Sequence, residues 1–357
     1  MMEKRKKRFG SGSISQLIIP LTALGLLLLF NLIRDPGFFQ ITLSPTGVLT
    51  GNIVSVVDSA SELAIIAMGM TLVTAACGGQ DISVGAVGAI GGSIFVCTLQ
   101  NMGTITIWGV VVAILAGIAV SVLFMCFNGA LVSVFKIQPM IATLILFSCG
   151  RSIAYWFSGS AMAQLNSPII VAMGMTIPGI PVPTSIFAVI IMGLLLGLVF
   201  KLTNLRLYTQ SVGINQGAAR LNGINPTLIK MISFIILGVC VAVAGVIGVC
   251  RIGIIAHQTL LVEIEMDAIL AVAIGGNSLG GGRFRMVGSI LGAYIIQMLT
   301  ITLYAMNVAP VNVKAFKAIV IILIVVAGSP VIRSKLTSMA NRMRDKRKTA
   351  VLSKGVN

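Results

Sequence analysis

The sequence predicts an all-α, polytopic membrane protein with about ten transmembrane helices, broken or re-entrant Gly-rich segments, and both termini in the cytosol. Three observations carry this. Of 357 residues, 57% are hydrophobic and only 10% are charged, against about 25% charged in a soluble globular chain; mean hydropathy is +1.05. Apolar runs recur at about the length a helix needs to cross the hydrocarbon core, which favours helices over a barrel. Finally, ten spans place 20 of the 25 Lys and Arg residues on one side, as the positive-inside rule requires. No polar stretch is long enough to bury a core of its own.

Taken in order, residues 1–13 form a basic N-terminus, with Lys4, Arg5, Lys6, Lys7 and Arg8 ahead of the first apolar run. That run, Ile14 to Ile33, exceeds a signal-peptide core and lacks a small-residue cleavage site, so it reads as an uncleaved first span. Arg34-Asp35-Pro36-Gly37 ends it, and Phe38 to Val48 reads as a short amphipathic outer segment. The second span covers Ile53 to Ala76, with Asp58 and Glu62 near its outer end. Gly78, Gly79, Gln80, Asp81 and Ser83 then break the helix; such a break survives at membrane depth only where protein or a water-filled cavity covers it. The third span is Ile82 to Leu99, where Gly88 and Gly92 permit close helix approach. The fourth is Ile105 to Phe135, carrying Asn128. Lys136 to Pro139 turns at the inner face, and the fifth span is Met140 to Phe157.

Ser158 to Thr184 is uncharged and turn-rich. Pro168, Pro178, Pro181 and Pro183 argue against a spanning helix there, so it belongs outside. The sixth span is Ser185 to Phe200, the seventh Ile232 to Cys250, with Arg251 to Glu265 returning to the outer face. The eighth, Met266 to Ile274, is short and runs into Gly275, Gly276, Asn277 and Ser278. The ninth is Val287 to Tyr304, with Gly288 and Gly292 spaced for packing. The tenth is Ile319 to Ala327, beginning as early as Val313 if Lys314 and Lys317 reach out to the headgroups. The membrane domain is thus residues 14–330, and 331–357 form a basic cytosolic tail.

An internal echo runs through this order. Glu62 opens ELAIIAMGMTLVTAACGGQ and Asp267 opens DAILAVAIGGN; each is acidic, then apolar, then Gly-Gly-polar, and each precedes a Gly-rich span. Repeated transporter halves with broken helices look like this, and so does Gly-rich packing without duplication.

Residues 201–230, KLTNLRLYTQSVGINQGAARLNGINPTLIK, interrupt the apolar pattern with a long polar loop at the inner face. Within it Asn215, Gln216, Gly217, Ala218, Ala219, Arg220 and Leu221 predict a short helix: Asn215 caps it, and the alanines, Arg220 and Leu221 favour helix. Asn222, Gly223 and Pro226 fit its end. Two readings stand, an ordinary loop helix and a surface on which an external motor pushes.

Several function classes fall away. The net charge of +16 sits at membrane edges with no aromatic interleaving, so nucleic acid is not the expected partner; membrane lipid is. The six cysteines form no CxxC pair and His257 is the single histidine, which leaves no metal site and no catalytic constellation. Cys77-Gly78-Gly79-Gln80 superficially resembles a nucleotide signature of cassette ATPases, but no GxxxxGK[ST] loop exists to cradle phosphates. Asp81 costs about 2.5–3.5 kcal/mol at a helix centre, so it needs partners; it reads either as a polar site on a transport path or as a cap for the helix after Ser83. Asp58, Glu62 and Asp267 sit near the outer face, where exposure lowers their cost.

Four ordered stretches resemble the permease subunits of ATP-binding cassette importers for monosaccharides, the ribose/xylose/galactofuranose group. They are GMTLVTAACGGQDISVGAVGAIGG (Gly69 to Gly92), KIQPMIATLILFSCGRSIAYWF (Lys136 to Phe157), SVGINQGAARLNGIN (Ser211 to Asn225) and EIEMDAILAVAIGGNSLGGGRF (Glu263 to Phe284). The family's first motif usually reads GGIDLSVG; here Gln80 and Ile82 depart from it, placing an extra polar group beside Asp81. KIQP, QLNSP and VGIN look nearest to galactofuranose permeases. The resemblance implies that residues 14–330 form a permease domain in the cytoplasmic membrane. It implies a second permease subunit, identical or different, and a cytosolic ATPase dimer docked on the 215–223 helix. It also implies an extracytoplasmic sugar-binding protein at the outer loops. The path for the sugar would run by the two breaks and Asn128. The chain itself would be no enzyme and bind no cofactor, with ATP and Mg held by the ATPase. The competing class is a stand-alone secondary transporter or channel coupled to ions through intramembrane carboxylates.

Overall fold

The computed structural model describes residues 20–44, 48–159, 164–165, 167–177 and 179–328. The basic N-terminus, the start of the first span, Pro178 and the tail from 331 lie outside them. The chain divides into two units, 1–308 and 309–357.

In the first unit, helix α1 is Pro20–Arg34, followed by a 3-10 turn, Pro36–Phe39, capped by Asp35 through Gly37 N–H. The expected amphipathic outer segment is instead a small hairpin: β1 Thr42–Leu43 pairs antiparallel with β2 Leu49–Thr50, in the register Thr42↔Thr50 and Leu43↔Leu49. Then come α2 Asn52–Cys77, α3 Val84–Asn101, α4 Ile107–Ser133, α5 Pro139–Phe157, α6 Pro168–Gly174, α7 Thr184–Leu202, α8 Leu205–Ile214, α9 Gln216–Leu221, α10 Pro226–Ile252, α11 Ile264–Ile274 and α12 Met286–Ala305. Among the described residues, seven of these helices are long and apolar enough to cross a membrane: α2, α3, α4, α5, α7, α10 and α12. The second unit holds α13, Pro310–Gly328, which starts ahead of the expected Ile319 and Val313 because Pro310 suits the first turn of a helix.

The core is built on α2, whose apolar window is 94% buried; in α4, α5 and α7 the figures are 28%, 28% and 22%. Helices α10, α12, α7, α11 and α8 pack on α2, while α4 packs on α10 and α3, and α5 on α3. The exposed sides of α4, α5 and α7 carry Leu, Ile, Val and Phe, including Leu115, Ile141 and Leu194, as lipid contact requires. Small residues let the inner helices approach closely. A methyl group on Gly245 would strike the Gly88 carbonyl, and one on Gly288 or Gly292 would strike the carbonyls of Gly275 or Ala271. The expected packing roles of Gly88, Gly92, Gly288 and Gly292 hold. A buried Asn31 amide donates to Thr302 Oγ1 at 2.8 Å, joining α1 to α12 by a bond between groups with no water to compete.

Two elements differ from expectation at the basic face. The 201–230 loop is largely helical: α8 fills its first half, and α10 begins at Pro226 rather than Ile232. Asn225 accepts from Thr227 and Leu228 N–H and Pro226 occupies the first position, so these two residues start a helix rather than end the previous one. Lys230 is buried. At the opposite face, Arg251 to Glu265 is not a plain outer loop. It folds back into the protein until the Leu261 carbonyl lies against Gly85 at the start of α3.

Candidate functional site

Both breaks lie at the face that carries Lys136, Lys201, Arg206, Arg220, Arg283 and Arg285. Gly78, at φ +64°, closes α2 in the left-handed conformation that glycine adopts without a Cβ penalty. Asp81 Oδ1 then accepts from Ser83 N–H at 2.6 Å and from Ser83 Oγ at 2.7 Å. The Asn128 amide donates to Asp81 Oδ2 at 3.2 Å and to Ser83 Oγ at 2.9 Å. Ile82 N–H donates to Thr143 Oγ1 at 3.2 Å. Asp81, Ser83, Asn128 and Thr143 are fully buried. Neutral donors satisfy the carboxylate and tie the break to α4 and α5.

The second break is built on Asn277. Its amide donates to Ser289 Oγ at 2.8 Å and to the Val272 and Arg285 carbonyls at 3.2 Å each, and its Oδ1 accepts from Arg285 N–H at 2.7 Å. Thr71 Oγ1 donates to the same Ser289 at 2.6 Å, joining this break to α2. The two breaks also touch: Gln80 Nε2 donates to the Leu279 carbonyl at 3.1 Å, and a methyl on Gly78 would lie 2.8 Å from the Gly280 carbonyl oxygen. Gly275 and Gly276 lie at the α11 end of this junction and Gly79 packs on Pro139. Gln80, one of the two residues that depart from the family motif, therefore ties the first break to the segment just after the second echo.

Helix α9 rests beside this junction. Asn215 caps it by accepting from Ala218 N–H at 3.1 Å. Ala219 is buried with Leu72, Ala75, Leu205, Val212, Ile229 and Phe284. Gln216, Gly217, Ala218, Arg220, Leu221, Asn222 and Gly223 are exposed, and Leu221 is 91% exposed. Helix α8 leads into it. A Cβ on Gly213, near the end of α8, would collide with the Ala75 carbonyl and lie 2.6 Å from Gly282 N; Gly282 N–H in turn donates to that carbonyl at 3.0 Å. Gly213 thus touches both breaks. Arg206 lies over the Phe284 ring at 5.9 Å. Burial and the adjacent Arg283 lower the Arg285 pKa from its usual range.

Toward the opposite face, a cavity of about 310 Å³ opens between α2, α10, α11, α12 and the folded-back segment 253–263. Its polar lining is Ser59, Glu62, Arg251, Thr259, Asp267 and Gln297. Arg251 pairs with Asp58 at 2.9 Å and with Glu62 at 3.3 Å, and donates to the Asp58 carbonyl at 3.0 Å; Ser185 Oγ also bonds Asp58. The exposure expected for Glu62 is therefore corrected: its side chain is only 12% exposed and lies beside the Arg251 guanidinium. A further carboxylate, Glu265, is buried at the start of α11. The folded-back wall is clamped by Arg151, which donates to the carbonyls of His257 (3.0 Å), Gln258 (3.3 Å), Leu260 (3.0 Å) and Leu261 (3.4 Å). Of the predicted path residues, none lines this cavity.

A bundle of lipid-facing helices around interrupted ones, with polar groups gathered at the interruptions, defines a membrane permease. A family model described as the permease component of a branched-chain amino acid transport system matches residues 52–325, and the chain belongs to that family. It is 34% identical to the galactofuranose transporter permease protein YtfT of Escherichia coli K12, over 97% of this chain and 96% of that one. It is 36% identical to the fructose import permease FruF of Bifidobacterium longum, over 88% and 86%, and 31% identical to the ribose import permease RbsC of E. coli K12, over 81% and 88%. No solved structure matches it. It is a permease subunit of the sugar-importing ATP-binding cassette type, and a multi-pass protein of the cytoplasmic membrane.

Proposed function

We propose that the chain forms the translocation pathway for a monosaccharide (a pentose, a hexose or galactofuranose) and is driven by a separate cytosolic ATPase dimer seated on α9. The observation that carries this is the junction at Gly213, where the helix leading into α9 packs against Ala75 and Gly282. A push on the exposed tip at Gly217–Leu221 is relayed into both interrupted helices at once. The mechanism is electrostatic and mechanical. Arg220 offers a cation to an acidic groove, and the close-packed Gly surfaces of α3, α10 and α12 let rigid helices shift. The related proteins named as galactofuranose, fructose and ribose permeases support a neutral sugar cargo. An extracytoplasmic binding protein delivers the sugar, a second permease subunit completes the membrane part, and ATP and Mg stay with the ATPase, leaving this chain without a cofactor.

The test is ATP-dependent sugar uptake in liposomes carrying the whole importer. Gly217→Pro and Arg220→Glu are expected to abolish uptake while the chain still inserts into the membrane. Unchanged uptake in both variants removes the docking role, and proton- or sodium-driven accumulation by this chain alone replaces it with the secondary-transporter reading.

A further inference from the structure

We propose that the cavity between α2, α10, α11, α12 and the folded-back segment is a resting station for one neutral sugar ring inside a single permease chain, with Gln297 and Asp267 as its selectivity residues. This rests on the sugar-permease reading above, and assigns that reading a location away from the two breaks.

Size comes first. A volume of about 310 Å³ is at the small end of ligand pockets, which run from about 300 to 1,000 Å³; it suits one ring and not an oligosaccharide. Its chemistry also fits. Carboxylates and an amide oxygen accept from hydroxyls, while the Gln297 amide and Arg251 donate, so both halves of an O–H group find partners. Leu63, Leu260 and Leu261 supply apolar wall for ring C–H groups. Formal charge then discriminates. Asp58 holds the Arg251 guanidinium from outside and Asp267 adds a carboxylate to the lining, which opposes sugar acids and sugar phosphates. The ion pair also leaves capacity for a ligand. Glu62 Oε1, 3.3 Å from Arg251 Nη1, and Arg251 Nε make no protein hydrogen bond, so each can still meet a ligand hydroxyl with the pair in place. No aromatic ring lies among the lining residues. Stacking is therefore missing and the hold is loose, as passage requires: a transit site must release what it admits.

The wall is held in shape at a cost. Leu261 (φ +53°) and Glu263 (φ +65°) both sit in the left-handed region without being glycine, a conformation that persists only where surrounding contacts enforce it. At Leu261 the Arg151 clamp supplies one such contact, through the Leu261 carbonyl. The two acidic residues that open the internal echo, Glu62 and Asp267, line this cavity from its two sides, one on α2 and one on α11.

The experiment is saturation-transfer NMR on the full chain in nanodiscs, with millimolar ribose, fructose, galactose, glucuronate and glucosamine as probes. ATP-dependent uptake by the complete importer is measured in parallel. Wild type is expected to transfer saturation to at least one neutral sugar and not to glucuronate. Gln297→Met and Asp267→Asn, each removing about one hydrogen bond, are expected to weaken that sugar about fivefold and to change the order of preference among the three sugars. Monodisperse elution of both variants checks folding, and equal loss for every sugar without a change of order marks a merely structural effect and overturns the assignment. So does unchanged binding in both variants, a glucosamine-only signal, or no signal from a wild type that still transports. A wild type that neither binds nor imports any of the sugars overturns the parent reading as well.

Discussion

Arg251 holds two carboxylates of α2 at once, and that makes it a point of high stakes. Removing it as Arg251→Met leaves Asp58 and Glu62 facing each other without a cation. Breaking a fully buried pair costs about 3–5 kcal/mol; here the partners are 25%, 26% and 12% exposed, so about 2–3 kcal/mol is expected. A lowered melting temperature in nanodiscs measures it. Adding Glu62→Gln to that background should recover part of the loss, because one uncompensated charge then disappears; a double-mutant cycle showing strict additivity would contradict the pairing. None of this was visible in the sequence. Asp58 and Arg251 stand 193 positions apart, and no local periodicity joins them, so the acids read as exposed and the arginine as one of five outer basic residues. Asp81 was the opposite case: the donors on its Oδ1 lie two residues on, at Ser83, within reach of sequence spacing alone. Asn128 stood out as a polar residue in an apolar span, but its bond to Asp81 needed the fold.

At the scale of elements, the informative unit is α8–α9. The cap at Asn215 made α9 legible, since a capping side chain acts three residues ahead. Helix α8 was not read as a helix, although Leu205, Thr209 and Val212 recur at i, i+4 and i+7; these residues set its buried side against the end of α2. The role of Gly213 is equally tertiary. Gly213→Ala inserts one methyl into the Ala75–Gly282 contact. The methyl forces the backbone at Ala75 or Gly282 to shift; if α8 relays motion from α9 to the interrupted helices, the variant should still insert and keep the ATPase turning over, and lose sugar uptake about tenfold or more, the equivalent of at least about 1.4 kcal/mol of coupling. Parallel loss of assembly would show that Gly213 serves packing alone.

For the whole molecule, parity and charge set the orientation. The ends of α2, α4, α7 and α11 and the starts of α5, α10 and α12 share one face, and both interruptions meet there, Gln80 on Leu279. The echo between residues 62–80 and 267–277 is therefore spatial as well as sequential: each is a descending helix, a Gly-rich interruption and a returning helix. Sequence carried this because Gly-Gly-polar motifs survive as local words; it could not carry the cavity, because helices that are apolar nearly all round hide which side faces in. Charge then orients the assembly. Lys136, Arg206, Arg220, Arg283 and Arg285 lie in the segments joining the spans at the shared face, Lys201 and Lys230 in the adjoining turns of α7 and α10, and 13 more Lys and Arg lie before residue 9 or after residue 332. Translocating any of these short basic segments opposes the positive-inside bias, so that face and both termini are expected in the cytosol. Single cysteines at Arg220 and Lys354 should resist a membrane-impermeant maleimide in intact cells and react after permeabilisation, while one at Thr176, in the segment between α6 and α7, should react at once. Reaction of the Lys354 site in intact cells would require an odd number of crossings, and would remove the tenth span from the topology without disturbing the sidedness of α9.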